Sequence, residues 1–115
     1  MSATNYPELT QQINRQLSSL RQSQKPTMQG FSAMAQGAMA AGVLSEKHKE
    51  LMALAIGVSQ RCAGCIGFHI KALKRLEATR AELDETLAVA VYMGGGPSLM
   101  YAAEALQAWD QFEAC

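Results

Sequence analysis

Aromatic residues make up only 6% of this 115-residue chain, and no stretch interleaves them with basic residues, so a stacking nucleic-acid surface is not expected. Charge of one sign is missing too. Ten acidic and ten basic residues cancel, which leaves no field to attract a polyanion or an anionic membrane. No hydrophobic run is long enough to span a bilayer, which takes about 20 apolar residues; the strongest, Leu51 to Val58, falls far short. Residues Met1 to Glu8 lack the basic and apolar regions of a signal peptide, so a cytoplasmic location is expected. Cysteine is scarce and odd in number. Three thiols in a chain without an export signal argue against a disulfide scaffold. Cys115, the last residue, is expected on a mobile tail and is left out of the candidate site.

What is present is 49% hydrophobic sequence with helical periodicity throughout and no convincing period-two segment. The expectation is an all-α bundle of about six helices in one domain spanning residues 1–115. Asn5, Tyr6 and Pro7 open a first helix with an apolar stripe of Leu9, Ile13, Leu17 and Leu20, ending near Lys25 and Pro26. Thr27 is a candidate cap for a second helix carrying Phe31, Met34 and Ala38 and stopping around Gly42. Ser45 caps a third, running to Ser59 or Gln60, whose Leu51–Val58 stretch is apolar all round. Such a helix must be surrounded by protein, and in so small a chain a second subunit supplies that cover most easily. A fourth helix runs from about Cys62 to Leu76. Thr79 and Glu82 form a capping box for a fifth, with Leu83, Leu87, Val91 and Met93 facing inward. Gly94, Gly95 and Gly96 break it, and a last helix runs from Pro97 through Trp109 to Phe112. The triple glycine lacks the preceding strand and the lysine of a phosphate loop, so it reads as a connector.

The chemistry concentrates in Glu50, Cys62, Cys65 and His69. With a turn of roughly 100° per residue, Cys65 and His69 fall within about 60° of Cys62 on one helix face. Cys65 and His69, four apart, are neighbours one turn removed. Cys62 and Cys65 can close a disulfide if Cys62 sits at the frayed start of the helix. A dithiol beside a proton-transfer group is the minimum equipment for thiol–disulfide or peroxide chemistry. The helix dipole favours Cys62 as the more acidic thiol, whereas adjacency to His69 favours Cys65. Residue spacing alone leaves that choice open. Glu50 also has a plain reading, because acids are common in the first turns of helices and it lies at the rim of the apolar stripe. A zinc site from Cys62, Cys65 and His69 with His48 or Glu50 is the competing chemistry. It is disfavoured because three ligands would come from one helix and no second cysteine pair exists. Neither a metal nor another cofactor is expected.

The order Glu50, eleven residues, Cys62-x-x-Cys65, three residues, His69 resembles the alkylhydroperoxidase AhpD-like proteins of the carboxymuconolactone decarboxylase family. The likeness is strongest over 44–76, in Glu-Leu-Met-Ala-Leu-Ala-Ile and Cys-Ala-Gly-Cys-Ile-Gly-Phe-His. It implies an all-helical AhpD-like fold and an antioxidant enzyme that reduces a hydroperoxide or exchanges disulfides. Cys65 would be the peroxidatic thiol, Cys62 its resolving partner, and His69 with Glu50 the proton relay. An external dithiol, lipoyl or thioredoxin-like, would reduce the disulfide, and a homotrimer or homohexamer is implied. One departure stands out: the best-known peroxidase pattern has a second histidine before the second cysteine, and here that position is Gly64. Members that decarboxylate lactones generally lack the cysteine pair, so that activity is not expected.

Overall fold

The computed structural model describes residues 2–113, which form six α-helices and no strand. They are α1 (Tyr6–Ser23), α2 (Lys25–Met39), α3 (Glu46–Ser59), α4 (Ala63–Arg75), α5 (Arg80–Gly94) and α6 (Gly96–Glu113). Cys115 lies outside the described residues.

Local chemistry sets most boundaries. The Asn5 side chain accepts the Glu8 N–H at 3.0 Å, with Pro7 in the first turn of α1. Ser45 accepts the His48 N–H at 3.1 Å to open α3. At α5 both halves of the capping box are made, Thr79 Oγ1 accepting the Glu82 N–H at 3.1 Å and Glu82 accepting the Thr79 N–H at 2.8 Å. Gly95, at φ 72°, ends α5 in a conformation that favours glycine.

Three expectations are corrected. First, α2 starts at Lys25 and not after Thr27, because Pro26 fits the first helical turn and needs no N–H there. Second, α2 stops at Met39, before Gly42: Ala40 turns extended, and its carbonyl accepts the Lys49 ammonium at 2.7 Å. Third, Met93 is 75% exposed. It falls about 100° around the helix from the buried line of Leu83, Leu87 and Ala90.

The core lies between α3, α4, α5 and α6. Leu54 and Val58 of α3, Ile66, Ile70 and Leu73 of α4 and Leu83 of α5 are fully buried. Ala102, Ala105 and Ala108 give α6 a smooth face toward them. Lys74 of α4 holds its ammonium 3.8 Å from the centre of the Trp109 ring, tying α4 to the end of α6. Helix α1 leans on α4 through its first half only. Tyr6 and Thr10 are buried, Leu9, Ile13 and Leu17 half-buried, and Leu20 exposed. The contact is close because Gly67 carries no side chain; a Cβ there would lie 2.9 Å from Thr10 Cγ2. Helix α2 buries none of its residues. The far side of α3 leaves Met52 and Ile56 more than half exposed in the single chain.

The chain before α1 runs along α6 as a strap. Gln107 donates to the carbonyls of Ser2 and Thr4 at 3.0 and 2.8 Å and accepts the Ser2 N–H at 3.1 Å. Gln111 donates to the Thr4 carbonyl at 2.9 Å and accepts the Tyr6 N–H at 2.8 Å. Glu104 accepts from the Ser2 hydroxyl at 2.8 Å and the Tyr6 hydroxyl at 2.5 Å. Burial and the adjacent Glu104 push the Tyr6 phenol well above its usual range, so it remains a donor.

Two outcomes test this packing. Helix α3 meets α4 at Gly57, where a Cβ would lie 3.0 Å from Cys65 Cβ. Gly57→Val should cost about 1–3 kcal/mol in urea unfolding, since Cys65 Cβ is fixed to the backbone and cannot swing aside. The second concerns acid. A hydrogen bond from Lys47, then one from the Thr79 backbone, lowers the Glu82 carboxyl to about 2. A depressed carboxyl stabilises the fold above its unfolded pKa, about 4.5, and that stabilisation is lost as pH falls toward 2. Lys47→Met should therefore flatten the fall in melting temperature between pH 5 and 2 relative to wild type.

Candidate functional site

The four residues come from two helices and the turn between them. Helix α3 closes with Arg61 at φ 58°, the Cys62 N–H bonding to the Gly57 carbonyl at 3.0 Å and the Arg61 N–H to that of Val58 at 3.1 Å. This left-handed closure reverses the chain within two residues. It delivers Cys62, in extended backbone, to the N-cap of α4. There the Cys62 sulfur accepts the Cys65 N–H at 3.1 Å, the place usually taken by a serine or aspartate oxygen. Cys62 and Cys65 are joined as a disulfide across a Cα–Cα distance of 5.2 Å, and both are half-buried.

Glu50 and His69 meet although 19 residues separate them. Glu50 Oε2 lies 2.7 Å from His69 Nδ1. Glu50 is 7% exposed, while the His69 side chain keeps 29% of its surface. A carboxylate accepts, so Nδ1 carries the ring proton and Nε2 is left as the acceptor nitrogen. The plain reading of Glu50 as an acid placed for the helix dipole does not fit a buried carboxyl aimed at an imidazole on the next helix. The structure thus brings His69 to Glu50 and Cys62 to Cys65, with Cys65 and His69 four apart on α4.

Thiol acidity has a separate influence at each cysteine. Cys62 takes the N-terminal amide of α4, the favourable position for a thiolate. Cys65 has the histidine one turn on. His48 stands apart: its Nδ1 lies 2.7 Å from the Ser45 hydroxyl, and it is exposed. Among the described residues no three His, Cys, Asp or Glu side chains are grouped to hold a metal ion.

Two positions escaped the sequence reading. Gly57 is needed where α3 and α4 touch, beside Cys65. The signal was available, because a glycine inside a helix costs about 1 kcal/mol against alanine and usually marks a close contact. The other is Ile13, whose Cδ1 lies 3.0 Å from where a Cβ on Gly64 would stand. Helix α1 thus occupies the space a side chain at position 64 would enter, and nothing in the spacing of α1 announces it. A cavity of about 580 Å3 between α1 and α2 shares no residue with the four.

Similarity to other proteins agrees with the fold. The chain is 41% identical over 103 residues to an uncharacterized protein of Cupriavidus necator, covering 90% of this chain and 91% of that one. It is 31% identical over 83 residues to uncharacterized protein 4 in the cox locus of Paracoccus denitrificans, covering 72% and 75%. The crystal structure of an apo carboxymuconolactone decarboxylase family protein from Legionella pneumophila superposes with a TM-score of 0.92. That protein is 53% identical, and the match covers 93% of this chain and 96% of the other. Among the described residues no helix is long and apolar enough to cross a membrane. Residues 25–108 match the family model directly, and with the all-helical AhpD-like fold the chain belongs to the carboxymuconolactone decarboxylase family.

Proposed function

We propose that this protein is a thiol-dependent hydroperoxide reductase, an antioxidant enzyme cycling between a Cys62–Cys65 dithiol and disulfide. The observation that carries the reading is the disulfide at the head of α4 with the Glu50–His69 pair on the same helix and its neighbour. Nε2 of His69 takes the Cys65 thiol proton while Glu50 holds the ring in the required tautomer. The Cys65 thiolate attacks the outer oxygen of the hydroperoxide, and the O–O bond breaks. An alkoxide leaves and takes the proton from His69 as alcohol, so Cys65 becomes a sulfenic acid. Cys62, as thiolate at the α4 N-cap, attacks that sulfur and expels hydroxide, which leaves as water once protonated. The disulfide results. An external dithiol, lipoyl or on a thioredoxin-like protein, returns both cysteines to thiols and is itself oxidised. No cofactor is needed for these steps.

The same proposal places the protein in the cytoplasm as a homotrimer or homohexamer, in keeping with the exposed Met52 and Ile56 on α3. A second reading, a thiol–disulfide oxidoreductase or redox sensor with little peroxide turnover, is favoured by one observation. Gly64 offers no second imidazole, and Ile13 fills the adjoining space.

Mapping the reduced protein by mass after one equivalent of an organic hydroperoxide separates the two. Peroxide reduction predicts rapid loss of two hydrogens, located at Cys62–Cys65; free thiols persisting beside fast exchange with a small disulfide would favour the second reading. Cys65→Ser should abolish peroxide turnover, and full activity in that variant would overturn the mechanism. Cys62→Ser should consume one equivalent and stop at a Cys65 sulfenic acid, trapped by dimedone. His69→Asn should slow thiol oxidation by roughly 10²-fold or more, the range of a lost proton carrier, and Glu50→Gln by less, with a shifted pH–rate profile.

A further inference from the structure

We propose that the groove between α1 and α2 is a docking site for a second copy of this chain, and that the outer ridge of the second copy's α5 fills it. The inference rests on the homo-oligomer proposed above and names the two surfaces that build it. It draws nothing from the cysteine chemistry.

The charges of this neutral chain are unevenly placed. None of its ten acidic residues falls in 9–45, which covers most of α1 and all of α2. Arg15, Arg21 and Lys25 stand there unopposed, so that segment is positive and the rest of the chain equally negative. Part of that positive segment is concave. Helices α1 and α2 enclose a groove of about 580 Å3, walled by Leu17, Met28, Phe31 and Ala35. Arg21 and Lys25 line it on either side of the joint at Gln24, and no acid does. An open apolar surface rimmed by charge marks an association site, and α2, which buries none of its residues, needs such cover to hold its shape.

The matching shape lies on α5. A helix that docks in a groove offers anchors at i, i+4 and i+7, and Glu85, Val89 and Tyr92 have that spacing on one face. All three are exposed, Tyr92 by 84%. The neighbouring acids Glu82 and Asp84 are paired with Lys47 and Arg80, whereas Glu85 has no ion pair among the described residues. The acid therefore stands at one end of an apolar ridge, as the two cations stand at one end of an apolar groove. Opposite charges so placed fix the register of the ridge in the groove. Within the chain the two surfaces do not meet, since among the described residues α5 packs on neither α1 nor α2. Groove and ridge are different surfaces, so the contact is head to tail. Each bound protomer still offers one free groove or ridge, and repetition closes a ring where the rotation allows it.

Sedimentation equilibrium of the full chain tests this, with circular dichroism to check folding; the substituted side chains are all exposed. Wild type should associate. Tyr92→Ser should weaken association by about tenfold or more, as loss of a buried aromatic anchor does. Glu85→Lys should weaken it by a similar factor, because Lys then faces Arg21 and Lys25. The double variant Arg21→Glu with Lys25→Glu should do the same from the other side. Mixing that double variant with Glu85→Lys should restore association, since each then carries the charge the other lacks, and salt should blunt both effects. A mixture no tighter than its components would overturn the inference. An oligomer indifferent to every variant would overturn it and leave the homo-oligomer standing. A monomeric wild type would overturn both and leave the groove to a ligand of another kind.

Discussion

The close approach of α3 to α4 at Gly57 is the constraint on which the site depends. A Cβ at Gly57 would press on Cys65 Cβ, so the two helices touch there backbone to side chain. At that separation Glu50, two turns earlier on α3, reaches His69, one turn later on α4. The pair stands at the edge of a dry core in which Leu54, Val58, Ile66 and Ile70 are fully buried. Burial strengthens the hydrogen bond, because water competes less for either partner. It also makes a mispaired Glu50 costly, which helps lock the register of α3 on α4.

A second constraint is the manner in which α3 ends. Arg61 adopts the left-handed conformation that glycine accepts at lower cost, and the same device, with Glu77 at φ 59°, ends α4. At the end of α3 the reversal fixes which thiol meets the helix terminus. Cys62 becomes the cap and Cys65 enters the first turn, so one sulfur has an amide and the other a histidine. Two chemically alike residues three apart thereby acquire different surroundings.

Much of the periphery is held by polar contacts and not by core packing. The strap before α1 is read through its backbone by Gln107 and Gln111, which offer both donors and acceptors to an extended chain. Salt bridges Lys47–Glu82 at 2.7 Å and Arg75–Glu46 at 2.8 Å tie α3 to α5 and α4. Exposed pairs of this kind contribute little each, so burial around α4 dominates stability. Helix α2 has neither resource. It buries nothing and leaves Phe31 and Met34 open, and a helix of 15 residues is marginal by itself in water.

Periodicity and capping chemistry in the sequence determined the six helices, because Asn5, Ser45, Thr79 with Glu82, and Gly95 act within a turn of themselves. The same local rule placed Cys65 and His69 one turn apart on α4, while Cys62, expected on the same helical face, takes the extended N-cap position before it. Where the local signal was weak it misled: Pro26 moved the start of α2 and Met93 fell outside the buried stripe. The fit of Gly57 to Cys65, the seat of Ile13 over Gly64, the union of Glu50 with His69 and the strap on Glu104 were decided only in three dimensions. Each depends on the separation and rotation of helices distant in the chain, and those are set by the summed packing of a core that no single segment encodes.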